Sequence, residues 1–212
     1  MPSTAPALRF YTNPMSRGRL VHWMLHECEA EFESIRLDFG ASMKAPAYLA
    51  LNPMGKVPAL QHGDTVITET AAILAYLADL YPEKQLAPAV GTPERGTYYR
   101  WLFFVAGPVE YVQTAQAEGW LQGQTDKQAS MAGFGRHADV VNTLLHAVRG
   151  KRYVCCTHFT AADLYLSSYI AWGMMQGTLP DLPEFHAYAD PLLARKASAL
   201  ADALDGPLDQ ME

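Results

Sequence analysis

The pattern of secondary-structure signals changes once along this chain, and that change limits the folds it can adopt. Strand and helix patterns alternate over roughly the first 80 residues, where apolar residues recur at a period of two or of 3.6. The predicted elements are a strand at Leu8–Thr12, a helix around Leu20–Cys28, a strand at Glu31–Asp38, a hairpin of Val57–Leu60 and Thr65–Thr68, and a helix through Ile73–Leu80. The order βαβ followed by ββα is typical of a small mixed sheet covered by helices.

Strand signals disappear after a linker at Tyr81–Pro93, which is rich in proline. Helical patterns then follow one another, and Gly107-Pro108 should kink the first of them. The helices are predicted from Pro93, along a stripe from Phe134 to Val148, from a capping box at Thr160-Ala-Ala-Asp163, and over Pro183–Leu204 with an interruption at Pro191. We therefore predict an α/β plus all-α fold, with domains at residues 1–82 and 93–212.

Charge and composition exclude several classes of function. The chain carries 16 basic and 22 acidic residues, a net charge of −6, which disfavours a nucleic-acid or anionic-membrane surface. No apolar run approaches the roughly 18 residues that span a bilayer, and the first residues lack a secretory signal. Three cysteines without framework spacing indicate reduced thiols. We expect a cytoplasmic protein without nucleic-acid or membrane partners.

The segment from Asn52 to Thr70 predicts a ligand site. Proline normally sits at strand ends or edges and is the residue before which a cis bond costs least. A cis Pro58 would expose the N–H and C=O of Val57. Thr70 is predicted as the N-cap of the next helix, whose free N–H groups would face the same ligand. These features outline a cradle for a small peptide-like molecule with a carboxylate.

Three blocks resemble the cytosolic glutathione transferases of bacterial type over essentially the whole chain. They are Asn13-Pro-Met-Ser-Arg-Gly-Arg19, Asn52-Pro-Met-Gly-Lys-Val-Pro58 with Glu69-Thr70, and Phe159-Thr-Ala-Ala-Asp163. The resemblance implies a thioredoxin-like N-terminal domain that binds glutathione as co-substrate, and an all-helical C-terminal domain that contributes the hydrophobic substrate site. It also implies a homodimer.

The resemblance assigns parts of glutathione to residues of the cradle. Glu69 and Thr70 would hold the γ-glutamyl end, with Thr70 on the carboxylate and Glu69 on the ammonium. Val57, followed by Pro58, would offer backbone hydrogen bonds to the cysteinyl part.

The glycyl carboxylate of glutathione lacks a single predicted partner. Several classes place a Lys or His where this chain has Gly55. Lys56 is the nearest cation, but adjacent side chains of an extended segment point to opposite faces. Lys44 and Arg19 are the alternatives.

The resemblance places the group that activates the thiol just after the first strand. Ser16 matches Pro-x-Ser-Arg sequences of bacterial and fungal relatives, and its alternative role is a simple N-cap. Tyr11 matches the tyrosine of other classes, and its alternative role is a packed strand residue. Thr12 and Asn13 are further candidates. Residues 12–19 contain no cysteine, which argues against cysteine-dependent classes.

The second substrate should be a hydrophobic electrophile between the domains. Candidate contacts are Tyr98, Tyr99, Arg100, Trp101, Phe104 and Tyr111, although aromatics at helical spacing more often form a core.

Thr160 and Asp163 match the family's N-capping box, so we assign them a role in folding and not in chemistry.

Cys156 and Thr157 replace a Gly and an Asp common in relatives, and a positive φ at Cys156 would be strained. Cys155-Cys156 is interpreted as a pair of buried small hydrophobes instead of a redox pair. The seven histidines lack metal-ligand spacing, so no metal is predicted.

The leading hypothesis is a glutathione transferase that adds the glutathione thiolate to hydrophobic electrophiles. A glutathione-dependent peroxidase or disulfide reductase on the same fold is the alternative enzyme. A non-catalytic glutathione-binding scaffold is the alternative from another class.

Overall fold

A four-stranded mixed sheet organises the first part of the chain in the computed structural model, which describes residues 8–206. The strands are β1 (Leu8–Thr12), β2 (Phe32–Arg36), β3 (Ala59–His62) and β4 (Thr65–Thr68). Their order is β2-β1-β3-β4, with β1 parallel to β2 and the other two pairs antiparallel. The predicted strands exist, but β3 begins two residues later than expected and leaves Val57 outside the ladder.

Ten α-helices surround or follow this sheet among the described residues. They are α1 (Gly18–Glu27), α2 (Pro46–Leu49), α3 (Thr70–Leu80), α4 (Pro93–Phe104), α5 (Glu110–Ala117), α6 (Asp126–Met131), α7 (His137–Val148), α8 (Ala161–Met175), α9 (Pro183–Leu193) and α10 (Lys196–Asp205).

The two faces of the sheet bury different layers, because neighbouring residues of β1 point in opposite directions. Phe10 is fully buried, with its ring 4.8 Å from that of His22 on α1. Tyr11 points the other way, and its ring centroid lies 5.5 Å from that of Tyr48 on α2. Helices α1 and α3 pack together over the first layer.

The last helix belongs to the same compact unit as the sheet. Residues 8–84 form this unit together with residues 196–206, because α10 packs along α1. Asp202 accepts a hydrogen bond from Arg19 at 2.7 Å, and Asp205 lies 2.8 Å from Nδ1 of His22. The expectation that residues 93–212 form one helical domain therefore differs from the observed grouping at its C-terminal end.

Residues 85–195 form the second unit, which is entirely helical within its regular elements. Its centre is α8, which buries Tyr165 and Tyr169 with ring centroids 5.1 Å apart. The predicted kink at Gly107-Pro108 is a π-helical turn over Val105–Val109, where proline cannot supply an N–H to the helix.

The predicted interruption of the last helix at Pro191 is not observed, because Pro191 lies inside α9, which ends at Leu193. Within residues 8–206, no helix combines the length and apolar character needed to cross a bilayer.

Candidate functional site

The register of the sheet brings three predicted site segments to one end of it. Tyr11 of β1 lies opposite Ala59 of β3, and Ala59 lies opposite Thr68 of β4. The chain that leaves β1, the chain that enters β3 and the chain that leaves β4 therefore meet at the same end. These chains carry Ser16, Val57 and Thr70 respectively.

Ser16 lies immediately before α1, in a turn that Asn13 organises. The Oδ1 atom of Asn13 accepts the backbone N–H of Met15 at 2.9 Å, and its Nδ2 atom donates to the carbonyl of Leu37 at 2.7 Å. The Ser16 hydroxyl donates to the Asn13 carbonyl at 2.6 Å and accepts the N–H of Gly18 at 3.0 Å. The hydroxyl therefore sits at the positive end of a ten-residue helix.

Gly18 lets the β1 end approach this helix closely. A Cβ at residue 18 would lie 2.0 Å from Oγ1 of Thr12 and 3.0 Å from Oγ of Ser16. The Thr12 hydroxyl is buried, with no hydrogen-bond partner among the described residues. Only glycine fits where the strand, the turn and the helix converge.

Tyr11 is a packed strand residue. Its side chain is buried in a cluster with Leu37, Met43, Tyr48 and Ala59, and its hydroxyl donates to Oε1 of Gln61 at 3.0 Å. Ser16, by contrast, is partly exposed at the helix start. The two candidates for thiol activation thus occupy different environments.

Val57 precedes a cis peptide bond to Pro58. Among residues 8–206, no hydrogen bond reaches its backbone N–H or C=O. The preceding carbonyl, that of Lys56, is held twice, by the hydroxyl of Tyr48 at 2.6 Å and by Nδ2 of Asn52 at 2.8 Å. These bonds fix the backbone immediately before Val57.

Lys44 lies over the turn at Gly55. Its Nζ donates to the carbonyl of Met54 at 2.8 Å, and a Cβ at residue 55 would lie 2.9 Å from the same Nζ. Gly55 also has a φ of +57° and lies close to the carbonyl of Met43. A Lys or His at residue 55 would have an unfavourable φ and would collide with the Lys44 side chain. In this chain the ammonium group at that place comes from Lys44. Lys56 is exposed.

The junction of β4 and α3 corrects one detail of the sequence prediction. Glu69 is the N-cap, with a φ of +65°, and Thr70 is the first residue of α3. A non-glycine residue at such a φ is strained by about 1–3 kcal/mol. Thr70 remains beside the free N–H groups of the first turn, where an anion is stabilised. Glu69 is exposed.

The aromatic candidates of α4 and α5 divide into core and surface. Tyr98 and Trp101 are buried, whereas Tyr99 and Tyr111 are exposed. Arg100 lies over the ring of Trp101, 4.4 Å from its centroid, and Phe104 packs against the same residue. Tyr111 also lines a cavity of about 250 Å³ with Trp120 and Phe134.

Thr160 and Asp163 form the predicted capping box of α8. The Asp163 carboxylate accepts the N–H and the hydroxyl of Thr160, at 2.9 and 2.8 Å, and also the N–H of Val154 and the hydroxyl of Tyr188. Burial raises the pKa of Asp163 despite these donors. The box is fully buried, in keeping with a role in folding.

None of the three cysteines lies in the β1–α1 turn that carries Ser16. Burial of Cys28 at the end of α1 raises the pKa of its thiol to about 12, so it is not a nucleophile. Cys156 does not have a positive φ. Cys155 and Cys156 are only partly buried, whereas the sequence predicted buried small hydrophobes. Among residues 8–206, no three His, Cys, Asp or Glu side chains are arranged to hold a metal ion.

The candidate site therefore lies at one end of the sheet of a thioredoxin-like domain, where the chain leaves β1, enters β3 and leaves β4. Helices follow that domain along the chain. The sequence profile of the glutathione S-transferase N-terminal domain matches residues 6–79. Glutathione S-transferase F13 of Arabidopsis thaliana is 30% identical over 207 residues, covering 90% of this chain and 93% of the relative. The chain belongs to the glutathione S-transferase family.

Solved structures agree with this assignment and confirm the predicted fold class. A glutathione transferase from Methylococcus capsulatus is 30% identical with a TM-score of 0.73, covering 94% of this chain and 99% of the other. A sphingomonad glutathione S-transferase in complex with glutathione is 28% identical with a TM-score of 0.72, covering 93% of this chain and 98% of that one.

Sequence reasoning missed the residues that position the site. Asn52 and Tyr48 hold the Lys56 carbonyl, and Asn13 shapes the turn of Ser16. One signal was available, because Asn-Pro-Met occurs twice, at residues 13 and 52, and in both copies the Asn side chain accepts the N–H of the Met. Asn favours such turns because its side chain mimics a backbone turn.

Proposed function

We propose that this protein is a glutathione transferase in which Ser16 holds the glutathione thiolate for attack on a hydrophobic electrophile. The observation that carries the proposal is the meeting of the Ser16, Val57 and Thr70 segments at one end of the sheet, set by the pairs of Tyr11 and Thr68 with Ala59. Each segment offers a different part of glutathione the hydrogen-bonding groups that it requires.

The thiolate is the reactive form, and a free thiol has a pKa of about 8.5. Lowering that pKa by about two units takes roughly 2.7 kcal/mol of preferential stabilisation of the anion. The Ser16 hydroxyl rotates from the Asn13 carbonyl to donate to the sulfur, while the N–H of Gly18 continues to donate to its oxygen. The helix end adds a favourable field for the anion.

The tripeptide is held by the remaining segments. Thr70 and the N-terminal N–H groups of α3 bind the γ-glutamyl carboxylate, and Glu69 pairs with the γ-glutamyl ammonium. The N–H and C=O of Val57 form an antiparallel pair of hydrogen bonds with the cysteinyl residue, next to Pro58. Lys44 and Lys56 neutralise the glycyl carboxylate; Lys44 already lies over the turn before Val57.

The electrophile is apolar and contacts the exposed aromatic residues of the helical unit. Tyr111 is the leading candidate, because it is exposed and lines a cavity of about 250 Å³ with Trp120 and Phe134. Aromatic walls with a few polar groups are typical of sites for such molecules.

We also propose a homodimer in the cytoplasm. Large apolar side chains on both units are exposed, including Met54 at 66% and Phe103 at 71%. Contiguous patches of such side chains mark association surfaces, and these residues would contribute to one. Sedimentation equilibrium of the full chain tests this proposal, and a monomer at micromolar concentration would refute it.

Replacement of Ser16 tests the catalytic role. In Ser16→Ala, we expect the pKa of bound glutathione to return toward about 8.5, and kcat/KM with an aryl halide to fall about a hundredfold. Difference absorbance of the thiolate and steady-state kinetics measure the two quantities. Tyr11→Phe is the matched control, since it removes one hydroxyl from a core residue; it should leave the pKa of bound glutathione unchanged. The opposite pattern would move the role to Tyr11.

Two further assays separate the alternatives. The same thiolate serves a peroxidase or a disulfide reductase, so hydroperoxides and mixed disulfides are compared with aryl halides. Calorimetry distinguishes a transferase from a non-catalytic scaffold when it is combined with the thiol pKa. Glutathione binding without a lowered thiol pKa would contradict a transferase.

A further inference from the structure

The adjacent cysteines Cys155 and Cys156 lie in the loop before α8, and they belong to a different unit from the residues assigned to glutathione. Both are partly buried, and their sulfur atoms are 3.9 Å apart. Two thiols at this separation are nearly in contact, and an S–S bond of about 2.05 Å requires a further approach of roughly 2 Å. Rotation of the side chains can provide that approach in a loop without regular structure.

The two thiols differ in their partners. Cys156 Sγ lies 3.7 Å from Nε2 of His158 and donates to the carbonyl of His158 at 3.3 Å. An imidazole beside a thiol accepts its proton or, when protonated, stabilises the thiolate. Cys155 Sγ lies 3.3 Å from the hydroxyl of Thr160, at the buried capping box. Burial raises the pKa of Cys155 to about 12, so Cys155 is the poorer nucleophile for the first attack.

We propose that Cys155 and Cys156 form a reversible dithiol modification site for low-molecular-weight disulfides, with Cys156 as the attacking thiol and Cys155 as the resolving thiol. This inference is independent of the proposed function, because it involves none of the residues at the end of the sheet.

The reaction proceeds in two balanced exchanges. The Cys156 thiolate attacks one sulfur of the small disulfide R–S–S–R, forms Cys156–S–S–R and releases one R–S⁻, which takes up the proton lost by Cys156. Cys155 then loses its proton and attacks Cys156 Sγ, forming the Cys155–Cys156 disulfide and releasing the second R–S⁻, which takes up that proton. The protein loses two electrons and two protons, and the small disulfide becomes two thiols.

The product should be easy to reduce. Adjacent α-carbons are about 3.8 Å apart, whereas disulfides usually join α-carbons 4.4–6.8 Å apart, and deviation from that range stores strain. Strained disulfides have the higher reduction potentials typical of labile sites. A thiol such as dithiothreitol should therefore restore the dithiol readily.

The test uses the full-length protein and bis(2-hydroxyethyl) disulfide, a small uncharged probe unrelated to glutathione. Intact-mass and peptide mass spectrometry follow the modification with time. In the unmodified sequence we expect a transient adduct on Cys156, then loss of two hydrogens and a disulfide within the peptide that carries both cysteines. Cys155→Ser should accumulate the adduct on Cys156, whereas Cys156→Ser should lose modification.

Cys28→Ser is the matched control, because Cys28 is buried and should not react; this variant should behave like the unmodified sequence. The proposal is overturned if Cys155 of Cys156→Ser takes the adduct as fast as Cys156 of Cys155→Ser, or if the unmodified sequence forms no disulfide between the two. The latter measurement needs no variant, so a variant that fails to fold does not remove the test.

Discussion

Two glycines of the site are set by close approach and not by flexibility alone. Gly55 has a left-handed φ, and a Cβ there would lie within 3 Å of three other residues. At Gly18 there is no room for any side chain. Gly18 belongs to a regular helix, where alanine would ordinarily be preferred. The cost of a methyl group at residue 18 therefore measures how tightly the β1 end packs on α1.

Gly18→Ala should destabilise the protein by about 1–3 kcal/mol, as is typical of overpacking a close contact. The added Cβ would lie 2.0 Å from the Thr12 hydroxyl, so Thr12→Ala should recover part of the loss. Urea denaturation measures both. Gly96→Ala is the control, because residue 96 is exposed on α4 with nothing near its Cβ; it should stabilise by up to about 1 kcal/mol. Equal effects at both glycines would contradict the packing argument.

The two Asn-Pro-Met turns predict separable effects on binding and on chemistry. Asn52→Ala removes a donor from the Lys56 carbonyl and should loosen Val57, so the Kd for glutathione should rise about tenfold, equivalent to roughly 1.4 kcal/mol. Asn13→Ala removes the matching bonds beside Ser16 and should chiefly lower kcat. Calorimetry and kinetics on both variants measure this. A Kd unchanged by Asn52→Ala would contradict the role given to that turn.

At the scale of the elements, α9 carries a pH-sensitive pair of contacts at its exposed surface. The ring of His186 lies 2.6 Å from Asp181 through Nε2 and 3.2 Å from Asp190 through Nδ1. The hydrogen bond to Asp181, followed by that to Asp190, raises the pKa of His186. Because the folded-state pKa is raised, the stabilisation is fully present below the unfolded value of about 6.5 and is lost as pH rises through the folded value.

His186→Gln should therefore lower the melting temperature near pH 5.5 and have little effect near pH 9, since the imidazolium is present only at the lower pH. Thermal unfolding at the two pH values measures the difference. Asp181→Asn removes the closer acceptor and should reduce the same pH-dependent increment. A destabilisation of His186→Gln that is equal at both pH values would indicate lost packing and not lost charge.

Local chemistry made most elements predictable from the sequence, whereas residues at their ends were not. Periodicity located β1 and α3, and the capping box located the start of α8. The predicted N-cap of α3 was one residue too late, since the cap is Glu69 and not Thr70. A glutamate is not expected at a positive φ, so propensity did not indicate it. Pro191 was predicted to interrupt the last helix, but it lies inside α9, and the break falls at residues 194–195, between α9 and α10.

The environment of the site residues was less predictable than their identity. Motif and resemblance selected Ser16, Val57 and Thr70, and strand register then showed that their segments meet. Nothing local indicated that Tyr48 donates to the Lys56 carbonyl or that Lys44 lies over Gly55. Such contacts depend on tertiary packing, and local sequence patterns do not reveal them.

At the scale of the whole molecule, the chain returns from the helical unit to the sheet unit through α10. The contacts that hold α10 join residues 183 positions apart, which no periodic pattern could predict. Two acidic side chains of α10 face α1 in different settings. Asp205 is buried beside His22, whereas the side chain of Asp202, which pairs with Arg19, is 60% exposed.

This contrast gives a prediction about how α10 is anchored. Asp205→Ala should destabilise the sheet unit by about 1–3 kcal/mol, because it leaves Nδ1 of buried His22 without its partner. Asp202→Ala should cost less than about 1 kcal/mol, as expected of an exposed ion pair. Urea denaturation followed by circular dichroism measures the free energy of unfolding of both variants. Equal costs for the two variants would show that α10 is held by its apolar contacts, with the buried His22–Asp205 pair adding nothing specific.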